Sequence, residues 1–223
     1  GLVALTAALL IVACVPTPKQ ATSTRVRTEL QALKNSQVLL TLAIGSVGFG
    51  GMFAVLSYLS PTLLEATQVH KYWIPIALLI YGLGSFTGSI IGGKLTDMNM
   101  KWAIAGSLGW AIIVLAIFPF SIYSLYTILP MAFCLGTTAM LVPALQVRLM
   151  DVAGESQTLA ASLNHAAFNI ANGLGAFLGG LSLNSALTWQ ATGWVGCLLA
   201  ISGLFVFIIT KHHSRKSAIH ISL

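Results

Sequence analysis

Between Leu163 and Gly180 the chain reads L-N-H-A-A-F-N-I-A-N-G-L-G-A-F-L-G-G, which sets His165, Asn169 and Asn172 inside a segment otherwise apolar enough to cross a bilayer. Polar side chains at that depth are costly and are usually kept for function. At about 100° per residue, Ser162, His165, Asn169 and Asn172 fall within an arc of about 80°, a polar stripe climbing more than one turn of one helix. Groups of this kind, without fixed charge, can exchange hydrogen bonds with water or with a polar solute, which makes the stripe the candidate substrate-binding face. Beside it, Gly175 and Gly179, with Gly180 following, form a small-xxx-small ridge that admits another helix backbone to backbone.

The elements that must hold such a stripe are membrane helices. Of the 223 residues, 57% are hydrophobic and 7% charged, with a mean hydropathy of +0.88; soluble proteins carry about 25% charged residues. Apolar runs of about twenty residues recur, a length that only helices use to span a bilayer, whereas barrel strands would show shorter alternating segments. The fold class is therefore all-α, a helical bundle in the membrane. The net charge of +6 would suggest nucleic acid in a soluble chain, but here the charges sit between apolar runs and read as orientation signals, so no nucleic-acid partner is expected. Cys14, Cys134 and Cys197 lie within apolar runs without metal-ligand spacing, so they read as small buried hydrophobes and neither metal nor cofactor is called for.

The chain opens on an apolar run that has no basic flank, and residues 1–16 read as the end of a cut transmembrane helix rather than a signal peptide; the chain is then expected to be a fragment. Residues 17–37 are polar and basic, with Lys19, Arg25, Arg27 and Lys34 against Glu29, and form a linker and domain boundary. A bundle of six spans is expected across 38–210, at about 38–60, 72–93, 102–120, 122–147, 156–183 and 189–210, followed by a tail at 211–223. Threading these spans back and forth puts the linker, Lys94, Lys101, Arg148 and the tail on one side and leaves only Lys71 on the other. By the positive-inside rule the crowded side, with linker and C-terminus, is cytoplasmic, and the protein lies in the inner or plasma membrane. Trp73, Trp102 and Trp189 fall at span ends as interfacial anchors.

Other features belong to individual spans. Gly84, Gly88 and Gly92 recur every four residues on the second span as a packing ridge. Pro130 and Pro143 fall in the fourth, where they either kink a cavity-lining helix or, for Pro143, mark a helix end. On the basic side, Asp97 and Lys101 follow the second span while Arg148 and Asp151 follow the fourth. An Asp97–Arg148 pair could latch helices in one state and release them in another; the alternative is a set of solvated loop charges worth at most about 1 kcal/mol as exposed pairs.

These residues resemble the major facilitator superfamily of secondary transporters. Gly92 to Asp97 is similar to the second copy of the family's loop signature G-x-L-x-D-R-x-G-R-K, and Asn172 to Gly180 is similar to a repeat of the antiporter signature G-P-x-x-G-G. Each sits where a six-helix half would carry it, after the second helix and in the fifth. The segments S-P-T-L-L-E at residue 60, L-Q-V-R-L-M at residue 145 and N-H-A-A-F-N-I-A-N-G-L-G-A resemble the arabinose-efflux-permease-like branch of drug:proton antiporters. Met98, Asn99 and Met100 replace the basic part of the loop signature, leaving Lys101 as the nearby cation, and Ala176 stands where the antiporter signature has proline.

The resemblance implies the end of helix six, the central linker and helices seven to twelve of a twelve-helix transporter. It further implies alternating-access efflux of a small molecule such as a sugar or drug, with protons as coupling ion and a six-helix N-terminal half as partner in the bilayer. No Asp or Glu falls in the interior of the six spans, so proton coupling belongs to the other half or to His165, which either titrates during transport or stays neutral and hydrogen-bonded. The chain is not expected to be an enzyme: the G-x-S-x-G pattern of a serine hydrolase is absent. A transport-inactive fragment or scaffold is the remaining alternative.

Overall fold

The computed structural model describes residues 5–6, 34–154, 156–184 and 188–220. Apart from these, the expected cut helix at 1–16 and most of the 17–37 linker lie outside the described residues, as do Cys14 and Glu155. Every regular element is helical, and no strand occurs among the described residues.

Asn35 opens the first membrane segment. Its extended backbone turns the chain into a helix and its side chain accepts the Gln37 amide at 2.9 Å, which satisfies one of the free donors of a helix start. From there α1 (Ser36–Ala43) passes through a wide π turn at Ile44–Gly48 into α2 (Gly50–Leu56) and the short α3 (Leu59–Pro61), and a second π turn closes the segment at Thr62–Ala66. The π turn at Ile44–Gly48 falls where glycines cluster. Gly48 and Gly51 are needed there for space: a Cβ at Gly48 would lie 2.8 Å from Leu108 Cδ2 and 3.3 Å from the Gly203 backbone, and one at Gly51 would strike the Gly196 carbonyl.

Helix α4 runs over Trp73–Ser121, 49 residues, which as a straight rod would be about 70 Å long against a hydrocarbon core of about 30 Å. It is not straight. Asn99 departs from helical geometry (φ −164°, ψ 101°), and its side chain accepts the amides of Lys101 at 3.1 Å and Trp102 at 3.2 Å. Asn99 thus acts as the N-cap of a second limb. The expected gap at 94–101 is correspondingly narrower, because helix continues through Met98 and resumes at once.

Helix α5 (Leu125–Thr137) carries Pro130 without interruption, then a 3₁₀ turn at Thr138–Met140 leads into α6 (Leu141–Ala153). That tighter turn falls one residue short of the Ala139 carbonyl's usual donor: Pro143 has no N–H to give it, so the ladder shortens at this point. Pro143 therefore marks a break inside a continuous membrane segment. Helices α7 (Gln157–Ser182) and α8 (Trp189–His220) complete the bundle, and α8 extends through most of the segment read as a tail.

Among the described residues, four segments are long and apolar enough to cross a membrane: Ser36–Ala66, Trp73–Ser121, Leu125–Ala153 and Trp189–Thr210. Helix α7 has the length, 26 residues, but its Asn and His residues keep it outside this set. The chain is an all-helical, multi-pass membrane protein.

Between apolar helices in lipid, close packing and hydrogen bonds hold the bundle more than water exclusion does. Gly84, Gly88 and Gly92 of α4 lie against the backbones of Phe133, Thr137 and Met140, and Gly136 returns the contact at Tyr81 and Gly84. Trp110 Nε1 adds a bond to Thr137 Oγ1 at 2.8 Å. Around Phe118, Leu108, Leu115 and Leu135 a large apolar core runs through most of the bundle, while Val38, Leu149 and Ala160 form a second, separate cluster at the Ser36 end of α1. That end is tied further by Asn35 Nδ2, which donates to the Val152 carbonyl at 2.9 Å.

Candidate functional site

Helix α7 has two unlike sides. Ala160, Asn164, Ala167, Ala171, Gly175 and Gly179 are buried, whereas Ser162, His165, Asn169 and Asn172 are exposed. The polar stripe is therefore gathered on one open face, as helical periodicity requires. Among the described residues, the side chains of His165, Asn169 and Asn172 have no hydrogen-bond partner. They are held at the surface of this bundle, not spent on packing it.

The opposite side explains why α7 sits this way round. A Cβ at Gly175 would strike the Gly50 carbonyl and lie 2.8 Å from Ala54 N, and one at Gly179 would lie 2.8 Å from Ala54 O and 3.0 Å from the Tyr58 ring. Gly180 faces the Tyr58 hydroxyl, which itself donates to the Ala176 carbonyl at 2.8 Å. Helix α7 runs unbroken through Ala176. Phe168 meets the Phe49 ring with centroids 4.9 Å apart.

Near Asn99, where the two limbs of α4 meet, the charged residues divide. Asp97, Lys94, Lys101 and Asp151 are exposed, but Arg148 is 8% exposed and turned into the bundle. Its Nε donates to Thr41 Oγ1 at 3.1 Å, its Nη2 to Gln37 Oε1 at 3.4 Å, and its Cζ lies 5.9 Å from the Phe207 ring centroid, within cation–π range. Arg148 does not meet Asp97 here, and among the described residues neither Arg148 nor Asp97 enters an ion pair. The guanidinium reaches between the first and last membrane segments because Arg148 follows Leu145 and precedes Leu149 on the buried side of α6. The spacing in sequence could not say which way round α6 Arg148 points.

Three features were not singled out in the sequence. Gly48 and Gly51 cross Gly203 and Gly196 of α8 backbone to backbone; the recurring glycines carried a signal, but the partner helix did not. Asn164, 3% exposed, donates to Gln146 Oε1 on α6, although it adjoins the stripe in sequence. Thr41 and Gln37 hold Arg148 with no local motif to announce them. Cys134 is half-buried and Cys197 buried, both free.

The family model of the Major Facilitator Superfamily matches residues 73–220. The chain is 32% identical over 188 residues to the inner membrane transport protein YdhP of Escherichia coli O157:H7, covering 83% of this chain and 48% of that protein. It is 32% identical over 189 residues to a chloramphenicol resistance protein of Streptomyces lividans, covering 82% and 45%. To the putative transporter AraJ of Escherichia coli K12 it is 23% identical over 207 residues, covering 92% and 52%. The chain thus spans about half the length of the curated relatives it matches. With the family match over 73–220 and relatives above 30% identity across most of its length, the chain belongs to the Major Facilitator Superfamily, in its AraJ-like branch.

Proposed function

We propose that this chain is the C-terminal, six-span half of a secondary transporter that exports a small molecule across the inner membrane by alternating access, with His165, Asn169, Asn172 and Ser162 on the substrate pathway. The observation that carries this reading is the open face of α7, where His165, Asn169 and Asn172 lack partners within the bundle. Facing lipid, those polar groups would have nothing to bond; facing a water-filled cavity shared with a second half, they are satisfied by water or by solute. The two limbs of α4 on either side of Asn99 supply two spans, and α7 a further one, which with the other three membrane segments makes six. This count returns the linker and the end of α8 to the same, cytoplasmic, side.

Names among the relatives include an inner membrane transport protein and a chloramphenicol resistance protein. Export of a neutral, hydrogen-bonding solute fits those names and the uncharged stripe alike. Glu65 and Asp151 lie near segment ends, Asp97 lies beside the Asn99 break between the limbs of α4, and all three are exposed, so among the described residues a proton carrier within the membrane would be His165; otherwise it belongs to the second half. The transport assay tests the face directly. In the full-length protein, Asn169→Ala and His165→Ala are expected to lower transport or raise the half-saturating concentration while the amount of folded protein stays near that of the parent. Unchanged transport in both variants would remove the substrate site from this face.

The latch of Asp97, Lys101, Arg148 and Asp151 is proposed as a state-dependent one. Carrying the contacts of Gly84 with Phe133, Gly88 with Thr137 and Gly92 with Met140 further along brings Asp97 level with Leu145, within about one helical turn of Arg148. If they pair when the cytoplasmic side closes, Asp97→Asn shifts the protein toward inward-open and slows transport without loss of folded protein. A parental transport rate in that variant would leave these residues as surface charge.

A further inference from the structure

Asn164 and His165 are neighbours in sequence with opposite surroundings. His165 points to the open face, while Asn164 is buried and donates its Nδ2 hydrogen to Gln146 Oε1 on α6; Gln146 Nε2 in turn approaches Met150 Sδ at 3.7 Å. Along α7 the buried contact surface is mostly small, namely Ala160, Ala167, Ala171, Gly175 and Gly179, with Phe168 against Phe49 as a large contact near the amide pair. Small residues allow close approach but resist rotation weakly, because turning the helix exchanges one shallow surface for another. Hydrogen bonds are directional. Tyr58 to the Ala176 carbonyl holds the Ser182 half of α7, and Asn164 to Gln146 holds the Gln157 half.

By helical geometry His165, Asn169 and Asn172 lie about 80–140° round the axis from Asn164. Any rotation that releases Asn164 therefore swings the stripe against a neighbouring helix or out of the pathway. We infer that Asn164 and Gln146 are positioning residues, whose bond sets the rotation of α7 and so aims the polar stripe at the solute. The inference rests on the substrate reading of that face, and labelling reads the rotation of α7 separately from transport.

In a full-length background without native cysteines, single cysteines are placed at Ala166, which is exposed, and at Ala167, which is buried, and labelled in membranes with a water-soluble thiol reagent. With Asn164 intact, Ala166→Cys reacts and Ala167→Cys is protected. Asn164→Leu and Gln146→Leu are each expected to narrow that difference and to raise the half-saturating concentration several-fold more than they lower the maximal rate. The exchange variant, Asn164→Gln with Gln146→Asn, keeps the amide pair and is expected to restore both readouts. If a leucine variant fails to accumulate, Asn164→Ala is read in its place by the same criteria. Parental labelling in the variants would overturn the positioning role whatever transport does. Altered labelling with parental transport would support that role and instead refute the substrate site.

Discussion

Replacing Gly88 by leucine is expected to remove most of the folded protein from the membrane. A Cβ at this position would collide with the Thr137 carbonyl and stand 2.7 Å from its Cα and 2.8 Å from its carbonyl carbon, and all three atoms are backbone. No rotamer change relieves such a contact, so α4 and α5 must move apart. Gly84 on Phe133 and Gly92 on Met140, one turn away on either side, then lose their contacts, as does the bond from Trp110 Nε1 to Thr137 Oγ1. Overpacking a core side chain typically costs about 1–3 kcal/mol where neighbours can adjust, and a backbone neighbour puts Gly88→Leu at or above the top of that range. Gly82 is the control on the same helix, since a Cβ there meets nothing within 4 Å. Size-exclusion profiles of the detergent-extracted protein should retain a monodisperse peak for Gly82→Leu and lose it for Gly88→Leu. Equal peaks would mean that the ridge does not hold these helices together.

The second large effect concerns Arg148, whose charge is buried with neutral partners. Thr41→Val removes the acceptor of its Nε–H and leaves Gln37, at 3.4 Å, as the remaining side-chain acceptor. Hydrogen bonds to charged groups contribute about 1.5–3 kcal/mol, and stripping partners from a buried charge costs more than deleting the charge together with its partner. Thr41→Val is therefore expected to lower the unfolding temperature clearly, and adding Arg148→Met to recover most of the loss, because an apolar chain of similar reach asks for no acceptor. A double variant less stable than Thr41→Val alone would show that the guanidinium contributes mainly through its packing over Phe207.

Both effects bear on the transport reading. The glycine contacts join α4 to α5, α7 to α2, and α2 with its π turn to α8, whereas the polar bonds of Arg148, Asn164 and Asn35 gather at the Ser36 end of α1 and tie it to α6 and α6 to α7. Variants of the first kind should read out in folded protein. Those touching the open face of α7 should read out in transport.

What the sequence determined by itself is whatever depends on one helix at a time. Hydropathy made the chain a helical membrane protein, because apolar length is a property of each run. Periodicity drew Ser162, His165, Asn169 and Asn172 into one stripe and Gly84, Gly88 and Gly92 into one ridge, since a helix carries its faces wherever it packs. The loop and α7 signatures also sit in contiguous residues and carried the family resemblance. Tertiary structure decided which face meets what. It turned Arg148 inward to Thr41 and Gln37, buried Asn164 beside an exposed His165, crossed Gly51 with Gly196, and made Asn99 a cap between two limbs of helix where a longer connection was expected. Each of these outcomes depends on a residue far away in the chain or on the local backbone path, and a pattern of side chains along a single helix contains neither.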